Sequence, residues 1–209
     1  MGNIEIRYYR KSDYSRCEEL VNLAWRFDKI FTSEKLFLLA QELYTKGSFF
    51  SSNYHMVAEI NGKVVGFIFG FNINNKKPKG SLLFGLKATL KLYFGITNKE
   101  ERNILIQAAT AHGKNRESVD SRNINEIVLF VIDEAYRGLG IGCKLWSSFK
   151  DHCHNSNSEI IRVETNKFGA SSFYEKIGFR FYINFNSPLH ELSTKGGQAC
   201  IYEYSKSEI

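Results

Sequence analysis

The chain has 209 residues, 43% of them apolar, 24% charged and 14% aromatic, and these proportions exclude a disordered, fibrous or low-complexity protein. That length suits one buried core, and no linker-like stretch divides it, so a single domain over residues 1–209 is expected. The formal net charge of +6 is regional: residues 74–122 hold ten Lys or Arg against four Asp or Glu, while the remainder holds eighteen of each.

No segment approaches the roughly 18 apolar residues of a membrane span, and the first residues lack a signal-peptide core, which predicts a cytoplasmic protein. Gly2 follows Met1, but position six is Ile6 rather than Ser or Thr, so a myristoylation signal is incomplete. Cys17, Cys143, Cys153 and Cys200 lie far apart without paired spacing, which suits free thiols.

In chain order, Ile4 to Arg10 alternates like a half-buried strand. Asp13 is placed to cap a helix with an apolar face of Cys17, Leu20, Val21, Ala24 and Phe27, and Ser33 to cap a second carrying Leu36, Phe37, Ala40, Leu43 and Tyr44. Two strand-like runs flank Asn61-Gly62, a hairpin signal because both turn positions favour positive φ. About fifty residues of helical pattern then interrupt the strands. Leu82, Leu83, Leu86, Leu90, Tyr93 and Phe94 recur at helical spacing, and such a stripe is expected to pack on the core; Lys87 and Lys91 beside it leave membrane-surface binding as the other reading. Thr97 to Glu100 reads as a capping box for a second helix that Gly113 would end.

The run Glu126 to Ile132 is expected to be a strand buried on both faces. After the glycine stretch come a helix with Cys143, Leu145, Trp146 and Phe149, a buried strand from Ile160 to Thr165, a short helix stopped by Gly178, and two terminal strands. The alternation predicts an α+β layered protein with a mixed sheet of six or seven strands, at least one pair parallel, flanked by helices. Asp151-His152-Cys153-His154 is the one dense group of potential metal ligands, but neighbours within a helical turn point apart, so no metal is expected.

Tyr136-Arg137-Gly138-Leu139-Gly140-Ile141-Gly142 fits neither the dinucleotide G-x-G-x-x-G interval nor a P-loop. A buried strand leading into a turn without side chains still aims amide hydrogens and a helix N-terminus at one spot, and that spot favours an anion. Arg137 adds a full charge there. Arg137 to Gly142 resembles the R/Q-x-x-G-x-G/A signature of the GNAT superfamily of N-acetyltransferases, and Asn166, Ala170, Tyr174, Gly178 and Phe179 resemble that family's second motif. In that motif Lys167 is the alternative occupant of the place given to Asn166, because the interval to Tyr174 is one residue long. Glu126, eleven residues before Arg137, stands at the spacing of a family general base.

The resemblance implies a GNAT fold, with residues 74–122 as a helical insertion outside the usual core. It implies acetyl-CoA as acyl donor, its pyrophosphate held by Arg137, Gly138, Leu139, Gly140, Ile141, Gly142 and Cys143, with Asn166 and Tyr174 also at the cofactor. Phe130, Val131 and Ile132 would pair with pantetheine and offer an amide to the oxyanion. Glu126 would deprotonate a primary amine, which then attacks the thioester in a ternary complex, and Tyr174 would protonate the thiolate. The acceptor would be a small molecule or peptide bound by a monomer or homodimer, with no nucleic acid. A silent cofactor-binding module and an adaptor docking its basic insertion to an anionic partner are the alternatives.

Overall fold

The structure, a computed structural model, describes residues 3–95, 98–167, 169–193 and 198–206. Gly2 and Thr97, named above, lie outside them. The strands are β1 (Ile4–Tyr8), β2 (Tyr54–Ile60), β3 (Lys63–Phe71), β4 (Asn125–Ile132), β5 (Ile160–Asn166), β6 (Arg180–Phe185) and β7 (Ala199–Ser205). They form a seven-stranded sheet in the order β1-β2-β3-β4-β5-β7-β6. Among the described residues only β4 and β5 run parallel, and the crossover between them contains α6 (Ile141–Cys153).

The two faces of the sheet bury separate cores. Val57, Phe67, Phe69, Leu129 and Val131 pack under α1 (Tyr14–Trp25), α2 (Phe27–Ile30) and α3 (Glu34–Ser51). On the other face Met56, Ala58, Ile68 and Ile127 meet Leu145, Trp146 and Phe149 of α6. The Asn61-Gly62 hairpin forms as the sequence predicts, with φ of 50° and 78°. The remaining helices are α4 (Ser81–Leu90), α5 (Lys99–Val119), α7 (Ser171–Lys176) and α8 (Pro188–Ser193).

Several local expectations change. Asp13 makes no cap bond to α1; its carboxylate accepts from Arg7 Nη1 at 2.8 Å and from the Arg10 amide at 2.7 Å, the second as part of a capping box on the 3₁₀ turn Lys11–Asp13. Ser33 also makes no cap bond; the amides of Thr32 and Ser33 donate instead to Glu101 of α5, at 3.0 and 3.3 Å. Gly113 does not stop α5, which runs on to Val119; one glycine costs a helix only about 1 kcal/mol, which flanking turns outweigh. Asn98 caps α5, its Oδ1 accepting from the Glu101 amide at 3.2 Å. The stripe on α4 does not reach the core: Leu82 is 90% and Phe94 84% exposed. Ala24, assigned to the buried face of α1, is exposed at the rim of a cleft.

Beside Gly70 of β3 the α6 face comes so close that a methyl there would meet the Phe149 ring, with Cζ at 2.6 Å. Phe149 is fully buried in the core between the sheet and α6. Gly70→Ala is therefore expected to cost roughly 1–3 kcal/mol, the range for overpacking a tight core. Urea unfolding would show it as a lower midpoint at unchanged slope.

Candidate active site

The sheet opens at one place. Phe69 faces Leu129 and Gly70 faces Ile127, so Val128 is an extra residue on β4. Such a bulge bends its strand and ends regular pairing. The parallel ladder with β5 covers only Asn125, Glu126 and Ile127 against Ile161, Arg162 and Val163. Beyond it β4 and β5 diverge, and the cleft between them is lined by residues of both. That is why β4 is not buried on both faces as its composition suggested: Glu126, Val128, Phe130 and Ile132 are half-buried along the opening.

At the upper end of the cleft lies the glycine turn. Gly138 and Gly140 adopt φ of 81° and 76°, and a Cβ at either would meet nothing within 4 Å. Backbone conformation rather than lack of room therefore requires glycine there. Gly142 has the opposite reason, since a Cβ would lie 3.0 Å from the Phe173 ring. No side chain caps α6 at Gly140, so its first amides face the cleft unsatisfied by side chains. Arg137 is exposed at the mouth. Gly138, Gly140, Ile141, Gly142 and Cys143 line the cleft, whereas Leu139 does not. Cys143 is exposed rather than packed, because the buried stripe of α6 runs through Ile141, Leu145 and Phe149.

Asn166, at the end of β5, lines the cleft, while the neighbouring Lys167 is exposed to solvent. Tyr174 is 5% exposed on α7, at the cleft wall, and burial raises its hydroxyl well above the usual tyrosine range.

The lower end holds charges that sequence spacing did not connect. Glu126 is there, but Arg116 Nη2 donates to its Oε1 at 2.6 Å and Arg162 Nη2 to its Oε2 at 3.1 Å. Arg116 Nε also donates to Glu164 Oε2 at 2.9 Å, and Arg162 Nη1 to Asp120 Oδ2 at 2.8 Å. Arg122 then joins Asp120, at 2.9 Å, to Glu203. The ladder Glu203, Arg122, Asp120, Arg162, Glu126, Arg116, Glu164 has four carboxylates for three guanidiniums. One negative charge is left at its inner end.

That end carries two imidazoles. His190 Nε2 lies 3.0 Å and His112 Nε2 3.7 Å from Glu164 Oε1, and the rings stack with centroids 5.9 Å apart. Ser187 Oγ is 2.9 Å from His112 Nδ1 and accepts from the His190 amide at 3.1 Å, so one hydroxyl caps α8 and touches the pair. Burial lowers the His112 pKa, reinforced by His190 and Arg116 and opposed by Glu164. Burial works to raise the Glu164 pKa, but the His190 hydrogen bond and the charges of His112, His190 and Arg116 bring it below the usual range. Among the described residues His112, Glu164 and His190 also form the one group spaced to hold a metal ion, with Arg116 taking up Glu164 Oε2 and leaving Oε1 to face the imidazoles. His152 instead packs on the Tyr54 ring at 4.5 Å and Cys153 is buried, so the 151–154 group does not converge.

Residues 100–185 match the family model described as acetyltransferase (GNAT) domain. PH1933 from Pyrococcus horikoshii OT3 is similar in fold at 20% identity, over 97% of this chain and 98% of that one, with a TM-score of 0.58. A putative acetyltransferase from Salmonella typhimurium, solved with its cofactor acetyl-CoA, is 14% identical over 99% and 95% of the two chains, with a TM-score of 0.53. The ribosomal-protein-S18-alanine N-acetyltransferase from Escherichia coli is 13% identical over 99% and 96%, with a TM-score of 0.55. No curated protein matches the chain. Such identities carry the fold and leave the substrate open: the chain has a GNAT fold, and its residues 100–185 match a GNAT acetyltransferase domain.

Proposed function

We propose that the chain is an acetyl-CoA-dependent N-acetyltransferase acting on a primary amine. The observation that carries this reading is one continuous cleft of about 1180 Å³ running from the glycine turn, past the unpaired edge of β4, to Glu164 and the two imidazoles. Single drug-sized ligands fill roughly 300–1,000 Å³, so this volume suits a long cofactor and an acceptor together. Open amides at the start of α6, glycines at positive φ and an exposed Arg137 fit a diphosphate. The free edge of β4 at Phe130, Val131 and Ile132 fits an extended amide-bearing arm laid beside it as an added strand.

When bound, acetyl-CoA supplies the acetyl thioester. The chain's own groups then have three tasks. An amide of the Phe130–Ile132 stretch donates to the thioester oxygen as it gains charge. Tyr174 donates a hydrogen bond to the departing sulfur; complete proton transfer from so weak an acid to a thiolate with a pKa near 8.5 would be uphill, so its contribution is the smallest. The third task is removing a proton from an amine that is on the order of 0.04% neutral at pH 7 if lysine-like.

Glu126 was the candidate for that task, yet both its oxygens are engaged by guanidiniums, and a proton arriving there would break one of two charge-assisted bonds. The neutral His112 imidazole, stacked on His190 and braced by Glu164 and Ser187, is better placed to accept it, with Glu126 anchoring Arg116 and Arg162. The surplus negative charge on the ladder attracts an ammonium to this end of the cleft, and Trp25, Phe27, Phe31 and Leu105 give it an apolar wall. An amine on an apolar or aromatic body is the acceptor class these groups favour.

Isothermal calorimetry with acetyl-CoA is the direct test. Gly140→Val forces a β-branched residue to positive φ and covers the α6 amides, so binding is expected to weaken at least about tenfold, or 1.4 kcal/mol. Absence of binding by the wild-type chain would end the proposal. Binding without thiol release from any amine in a broad panel would favour the silent cofactor-binding module instead.

A further inference from the structure

The outer face of α4 and the π-helical turn that follows it (Lys91–Gly95) has no role in the cleft chemistry. At about 100° per residue, Phe84, Ala88 and Leu92 share the inward face. Phe84 packs on the Phe50 ring at 5.3 Å, Ala88 is buried, and Leu92 joins the core under α3. Leu82, Leu86, Leu90, Tyr93 and Phe94 fall on the opposite side, with Leu83 at its margin, and all six are exposed. A surface helix of a soluble domain normally turns polar residues outward, and exposed apolar residues are normally scattered rather than aligned. Along the chain the flanking segments carry one sign of charge. No Asp or Glu occurs between Glu59 and Glu100, while Lys76, Lys77 and Lys79 lead into α4, Lys87 flanks it, and Lys91 pairs with Glu42 of α3.

We propose that this face docks on an anionic lipid bilayer, with the leucines and Phe94 in the acyl boundary and the lysines at the headgroups. Two features of the patch select that occupant. A two-fold dimer through this face would set Lys76, Lys77, Lys79 and Lys87 against their own copies, and Glu42 beside the patch is already paired with Lys46 and Lys91. A nucleic acid would satisfy the lysines but leave the apolar stripe facing phosphates and water. An anionic membrane satisfies both, and basic amphipathic segments bind such surfaces through buried apolar area plus attraction to acidic headgroups. The element lies on the surface rather than crossing: α4 and the turn together would extend only about 22 Å at 1.5 Å per residue, and among the described residues no helix is long and apolar enough to span.

The test is co-sedimentation of the full chain with vesicles of phosphatidylcholine alone and of phosphatidylcholine mixed with phosphatidylglycerol, at low and high salt. Binding is expected to the mixed vesicles, weaker at high salt. The triple variant Lys76→Gln, Lys77→Gln, Lys79→Gln should lower partitioning about a hundredfold, at about fivefold per lysine. Leu82→Ser, Leu86→Ser, Phe94→Ser should abolish it, at about tenfold or more per apolar side chain. All six positions are exposed, so an unchanged melting temperature checks that each variant folds. Leu86→Trp should give a blue-shifted emission on the mixed vesicles only. Failure to bind either vesicle, equal binding by wild type and serine variant, or a wild-type dimer that the serine variant converts to monomer would each overturn the proposal.

Discussion

His112→Gln is expected to lower the rate of amine-dependent coenzyme A release by about 10²–10⁴-fold while leaving acetyl-CoA affinity nearly unchanged, the range for loss of a positioned proton acceptor. The imidazole works only when neutral. Burial lowers its pKa, so the acid limb of kcat/KM should fall below the ordinary imidazole value of about 6.5, and the limb should vanish in the variant. Glu126→Gln should behave differently. Removing its charge leaves Arg116 with Glu164 and Arg162 with Asp120 as their remaining carboxylate partners, so the main loss should be in stability, at roughly 1–3 kcal/mol for charged groups that each lose a partner, with activity following the folded fraction. The opposite pattern, a stable Glu126→Gln that has lost its rate beside an active His112→Gln, would return the base to Glu126 and leave the two imidazoles as packing.

The difference between those two residues also shows what the sequence could and could not disclose. The glycine turn was readable because its requirements are local: two positive φ values and a helix start within seven residues. The Asn61-Gly62 hairpin and the helix stop at Gly178 were readable for the same reason. Glu126 could be placed on the strand beside the cofactor corner, but its partners could not, because Arg116 arrives from α5 and Arg162 from β5. His112 and His190 come from α5 and α8, two helices far apart in the sequence that meet in the fold. One signal was present and missed. Ser187-Pro188 is a helix start, with a cap residue followed by proline at the first helical position, and it would have predicted α8. The stripe on α4 was misjudged for a different reason: helical periodicity gives the face of a helix on which residues fall, and says nothing of which face meets the core.

Asp120→Asn is expected to destabilise the fold at neutral pH by roughly 3–5 kcal/mol, a large part of a domain's usual 5–15 kcal/mol. The Asp120 side chain is fully buried, and it is the one carboxylate shared by Arg122 and the nearly buried Arg162. Arg162 Nε already lacks a partner, so the guanidinium has no spare acceptor to turn to. Desolvation would raise the Asp120 pKa, but hydrogen bonds from Arg122 and Arg162 outweigh it and hold the value at about 2. A depressed folded-state value means the stabilisation is full above the unfolded carboxylate pKa and is lost as pH falls towards 2, amounting to about 2 kcal/mol from this one group. The gap between wild type and variant in urea unfolding should therefore narrow from pH 5 downward; a gap that stays constant to pH 2 would show that Asp120 is not the titrating anchor. The same residue follows the last turn of α5, the helix that carries His112 and Arg116. Weakening it should thus loosen the acceptor end of the cleft while leaving the glycine turn intact, so acetyl-CoA should still bind to folded Asp120→Asn even where acetyl transfer has slowed.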